Sequence, residues 1–141
     1  MADSRPAILE KVGFILVLPM VLLQAFYAIY AYLDPVAFAA LRGTELFAAN
    51  DTDWVKIYAS RTLFVAMSIG YLLYLRNYSV LVWIALIGVV MPLTDGLLAY
   101  QAQAPAKVIA KHAITVVYLV ATFVVLRNAV RNSKFTRLRE T

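Results

Sequence analysis

Three ionisable side chains, Arg61, Asp95 and His112, stand inside stretches of this chain that are otherwise apolar enough to cross a bilayer. A cation, a carboxylate and an imidazole are the ingredients of acid–base chemistry. Asp95 and His112 can share the transfer of a proton, and Arg61 can hold an anionic intermediate or tune the carboxylate. Charge at bilayer depth is costly, so such residues turn inward, pair, and by default mark a site. Gln24, Tyr27 and Tyr58 are polar side chains near the same layer and are read as substrate contacts. A second reading is structural. In it Arg61 and Asp95 form a buried ion pair between two helices, and His112 bonds a backbone carbonyl.

Composition narrows the chemistry around those residues. The chain has 141 residues, 63% of them hydrophobic and 15% charged, against about 45–50% apolar and 25% charged in a soluble domain. A single domain of this size cannot hide that excess in a core, so it has to face lipid. With no Cys and one His, disulfides, thiolate sites, zinc centres and a two-ligand haem are all excluded, and no cofactor is expected. The GxGxxG, Walker A and GxSxG patterns are absent. The net charge of +5 does not point to nucleic acid, because its basic residues crowd behind the last apolar stretch, at Arg127, Arg131, Lys134, Arg137 and Arg139. That placement suits a cytosolic tail facing anionic lipid.

Positioning the three ionisable residues takes four helices, each of roughly 20 apolar residues. The spacing predicts an all-α, antiparallel four-helix bundle with spans at about 12–33, 54–75, 79–100 and 107–126, followed by a basic tail over 127–141. A cleaved signal peptide would need a shorter apolar run and a prompt small-residue cleavage site, neither of which the first span offers. Short links at 76–78 and 101–106 force antiparallel neighbours. The longer link after span one predicts a helix of its own, capped by Asp34-Pro35 and stopped near Gly43, lying on the bundle mouth through Val36, Phe38, Leu41, Leu46 and Phe47. Asp51-Thr52-Asp53 is expected to cap span two. Lys and Arg placement predicts both termini in the cytosol.

At 1.5 Å per residue, Arg61 lies about 10 Å inside its end of span two, and Asp95 and His112 about 8 Å inside theirs. Gln24 is deeper, about 13 Å from Leu33. Gly88, Pro92 and Gly96 recur every four residues and offer a smooth face for close helix approach, as Ala66 and Gly70 do on span two. Pro92 deprives the Gly88 carbonyl of its helical partner, so a side chain or water is expected there. Lys111, Thr115, Tyr118 and Thr122 form a polar stripe on span four with His112 at its edge.

Span two with Arg61 and Gly70, the Pro92-Leu-Thr-Asp95-Gly96 ending of span three, and span four opening with His112 resemble the DUF4267 family of small integral membrane proteins, among the DoxX-like four-helix membrane proteins. The resemblance covers roughly residues 54–126 and extends toward span one. It implies the four-helix architecture and carries Arg61, Asp95, Gly96 and His112 across, but brings no settled activity. Similar members sit beside biosynthetic genes of fungal polyketides and terpenoids. DoxX-like relatives are linked to quinone or thiol redox systems, and the missing Cys argues against thiol chemistry here. Three functions stand open: a cofactor-free isomerase, cyclase or epoxide-opening enzyme acting on a lipophilic small molecule; a non-enzymatic small subunit or chaperone of a membrane complex; and a carrier or proton relay built as a homodimer. The lipid bilayer is a partner in each.

Overall fold

The computed structural model describes residues 4–44, 46–48 and 50–137, with side chains over 10–132 of these. Six helices follow in order: α1 Ser4–Leu33, α2 Pro35–Arg42, α3 Asp51–Tyr74, α4 Tyr78–Ile87, α5 Val90–Gln101 and α6 Ala106–Arg137. Taken as one broken helix, α4–α5 completes four spans of membrane-crossing length, Glu10–Leu33, Asp51–Tyr74, Tyr78–Gln101 and Ala106–Asn132. The expected bundle is therefore the fold, and the chain is a multi-pass membrane protein. An even number of spans puts both chain ends at one end of the bundle, with α2 at the other, the loop end. The basic segment is no separate tail up to Arg137, since α6 runs through it; Lys134 and Arg137 lie beyond the described side chains, and Arg139 outside the described residues.

The four spans pack as two unequal pairs. α1 lies along α3, and α6 lies along α4–α5, while α1 against α6 joins the pairs. α3 and α5 barely touch, which leaves a cleft between them at the loop end. Gly96 and Gly70 meet neighbouring helices as expected, whereas Gly88 does not, since a Cβ there would meet only backbone carbonyls of its own span, that of Ile84 nearest. A Cβ on Gly70 would stand 3.4 Å from Val21 of α1, and one on Gly96 3.2 Å from the Cβ of His112. Toward the chain ends the core is apolar and closed, around Val17, Met20, Ile69, Leu73, Leu81 and Leu126. At the loop end a second cluster of Ala31, Phe38 and Ala59 is roofed by Tyr27, Tyr30 and Tyr58. The polar chamber lies between the two.

Two local expectations are corrected. The Gly88 carbonyl, which Pro92 cannot serve, needs neither side chain nor water: the backbone N–H of Met91 donates to it at 3.2 Å. The helix closes the gap by tightening one turn, and this breaks α4 from α5. Asp51 does not cap α3 from outside. It is the first residue of that helix, and its carboxylate accepts from the N–H groups of Phe47 and Ala48 instead, tying the preceding link.

α2 forms as the sequence predicts. The Asp34 carboxylate accepts from the N–H of Ala37 at 2.9 Å, Pro35 opens the helix, and Gly43 closes it at φ +83°. A helix end leaves its last four carbonyls unpaired, and here each finds a donor. Thr44 N–H serves Ala39 and Gly43 N–H serves Ala40. The Lys111 ammonium serves Leu41 at 2.5 Å, and His112 bonds the backbone of Arg42, whose carbonyl is the group still free at a helix C-terminus. α6 thus pins α2 to the bundle. A Cβ on Gly43 would also stand 2.8 Å from a methyl of Val108. Gly43→Ala should therefore cost roughly 1–2 kcal/mol from the left-handed backbone alone, with crowding against α6 added. An unchanged melting temperature of the purified variant would contradict this tight seat.

Candidate functional site

α2 carries Phe38 and Arg42 four residues apart, so both point the same way from one helical face. Phe38 is buried, with its ring centroid 5.8 Å from Tyr27, 6.0 Å from Tyr30 and 5.4 Å from Tyr58. Arg42 follows it down into the bundle, and its side chain is only 12% exposed. The guanidinium stands over Tyr27 at 5.1 Å and over Tyr58 at 5.9 Å, a pair of cation–π contacts. It forms an ion pair with Asp95 of α5. The carboxylate expected to pair with Arg61 is therefore paired with Arg42.

Arg61 faces the other way. The stripe of α3 that meets its neighbours is Ala59, Thr62, Ala66, Ile69 and Leu73, and at 3.6 residues per turn Arg61 falls on the opposite stripe with Ile57, Phe64 and Tyr71. It is exposed on the lipid-facing surface, without an ion-pair or hydrogen-bond partner among the described residues. A long arginine stem tolerates this by running over apolar surface and lifting its charge toward the headgroups. The common layer keeps Asp95 and His112 and exchanges one arginine for another.

A chamber of about 260 Å³ gathers these groups. Gln24 and Tyr27 of α1, Arg42 of α2, Tyr58 of α3, Asp95 of α5, and Lys111, His112 and Thr115 of α6 line it. Gln24, Tyr27, Tyr58, Asp95 and His112 thus come together, and Arg61 does not join them. Arg42 and Lys111 were not singled out by sequence reasoning as site residues. Arg42 had a signal, since it shares a face with the apolar Phe38 on a helix expected to lie on the bundle mouth. Beyond the Arg42–Asp95 pair and Tyr58 lies a second cavity of about 320 Å³, walled by Trp54 and Val55 of α3, Leu98 of α5 and the link after α2. Arg42, Tyr58 and Asp95 line both spaces, so chamber and cleft adjoin along them.

His112 is the buried polar group of the chamber that packing does not account for. It is 3% exposed, yet Nε2 has no hydrogen-bond partner. A ring N–H donating to the Arg42 carbonyl leaves the other nitrogen of a neutral imidazole as a bare lone pair. On the same polar stripe of α6, Thr122 Oγ1 is likewise buried without a hydrogen-bond partner, while its neighbours bond backbone carbonyls. Thr115 bonds the carbonyl of Lys111, and the Tyr118 hydroxyl bonds the Leu16 carbonyl of α1 below the chamber. Among the described residues no cluster of His, Cys, Asp and Glu can hold a metal. The chamber can therefore move protons and balance charge with its own side chains.

A family model described as a domain of unknown function (DUF4267) matches residues 22–126, which hold every residue of the chamber. No curated protein and no solved structure matches the chain.

Proposed function

Because the chain belongs to the DUF4267 family, whose description assigns no activity, we propose its role from the chamber: a membrane-embedded enzyme that rearranges a lipophilic small molecule by acid–base chemistry without a cofactor. The observation that carries this is His112, a buried imidazole with an unpartnered Nε2, lining a cavity that also holds a carboxylate and a guanidinium. Nε2 takes a proton from one atom of the substrate and returns it to another, so no electrons are gained or lost. The negative charge left on a substrate oxygen meets Arg42, and Asp95 holds that guanidinium in place and balances the imidazolium while it exists. Isomerisation and cyclisation follow this scheme. Epoxide opening follows it when Nε2 takes its proton from an attacking hydroxyl and returns it to the opened oxygen. Gln24, Tyr27 and Tyr58 supply the remaining hydrogen bonds. A place in secondary-metabolite biosynthesis is the part of this proposal that rests on family resemblance alone. A cytosolic location of both termini rests on the excess of Lys and Arg at that end.

One observation favours a second reading, a non-enzymatic small subunit or chaperone of a membrane complex. Arg61 stands on an otherwise apolar exposed face, where a carboxylate on a membrane-protein partner or a second copy would pair with it.

Proton shuttling can be tested before the substrate is identified. Membranes holding the protein are incubated in deuterium oxide with a lipid extract of the source cells. At least one lipophile should gain deuterium at carbon, change to an isomer of equal mass, or open an epoxide, and only when the protein is present. Identical extracts with and without the protein would overturn the enzyme reading.

A further inference from the structure

The chamber holds more positive than negative charge. Arg42 is balanced by Asp95. The Lys111 ammonium rests instead on a neutral carbonyl, that of Leu41, close enough to Arg42 for the two cations to repel. No second carboxylate lines the chamber among the described residues. Two cations against one carboxylate make a cavity suited to one more anion. The cavity also has a lipid-side approach. α3 and α5 barely touch, and the space between them is walled by Trp54, Tyr58 and Leu98, and reaches Arg42 and Asp95. Trp54 is 70% and Leu98 48% exposed, so this side of the cleft is apolar and open, with Thr44 and Asp51 at its loop end.

We propose that the chamber takes a single-chain amphiphile with a carboxylate head. The head sits on Lys111, the next residue, His112, faces the atoms just beyond it, and the chain leaves past Tyr58 and Trp54 between α3 and α5. This rests on the chamber being a substrate site and adds the substrate class. An anionic head matches the uncompensated ammonium, and a flexible apolar chain suits an apolar-walled cleft between two spans. A neutral lipophile would fill the cleft and leave Lys111 without a counter-charge.

Trp54 and Trp83 are the two tryptophans, and Trp83 packs on Phe123 away from the chamber. In a Trp83→Phe background, Trp54 alone reports on the cleft. The protein is placed in phosphatidylcholine nanodiscs and titrated with dibrominated stearate, whose bromines quench tryptophan, and with its methyl ester. The acid should quench saturably, with a half-saturation at least about tenfold below the ester, the size expected for one charge-assisted contact. Lys111→Gln should remove that difference, and Lys111→Arg, which keeps the charge if the loss of Lys111 disturbs α2, should preserve it. Saturable quenching that is equal for acid and ester would overturn the anionic head and leave the proposed chemistry standing on a neutral substrate. Unsaturable quenching by both would remove the binding site and the enzyme reading together. An acid preference unmoved by Lys111→Gln would overturn the role of Lys111.

Discussion

Asp95→Ala is expected to destabilise the bundle by about 3–5 kcal/mol, the cost of stranding one partner of a buried ion pair. The Arg42 side chain is 12% exposed and held between two tyrosine rings, so it cannot recover water without withdrawing from the bundle and lifting α2 with it. Thermal melting of the purified protein and its abundance in membranes both report the loss. A double variant, Arg42→Met with Asp95→Leu, removes both charges at similar volume and should regain most of the stability. A melting temperature for Asp95→Ala equal to wild type would mean that the pair is wet and holds nothing. Full recovery of activity together with stability in the double variant would mean that the pair was only ever structural.

His112→Gln should separate chemistry from packing. The amide can still donate to the Arg42 carbonyl, so α2 stays capped and melting stays near wild type. The amide cannot take up a proton, so protein-dependent deuterium exchange or conversion should fall about 100- to 10,000-fold, the usual contribution of a positioned base. His112→Ala is a poorer test, because it strands the carbonyl of Arg42 at a cost of about 1–3 kcal/mol. A well-folded His112→Gln with wild-type exchange would end the enzyme reading.

Depth was legible in the sequence, but direction was not. Apolar length fixes how far each residue lies from a span end, and Asp95 and His112 do meet at one level beside Gln24, Tyr27 and Tyr58. Facing depends on helix phase, and span two gives a weak phase because its outward side is as apolar as its inward one. In lipid both sides of a helix want the same residues, so hydrophobic pattern cannot tell core from surface. Arg61 was misplaced for this reason. α2 escaped the difficulty because its signals are local: Asp34, Pro35 and Gly43 act within a few residues of themselves. What remained hidden was that its last side chain, Arg42, turns down into the bundle. That follows only once Phe38 on the same face is seen to be buried.

The capping of α2 also sets an order of assembly. α1, α2 and α3 leave the ribosome first, and α1 has its main partner in α3 from that moment. The Leu41 and Arg42 carbonyls do not, because their donors, Lys111 and His112, lie on the last helix to be made. Until α6 inserts, α2 rests on α1 and α3 through Phe38, and its last turn lacks these two donors. The chamber therefore comes into being in the final step of synthesis.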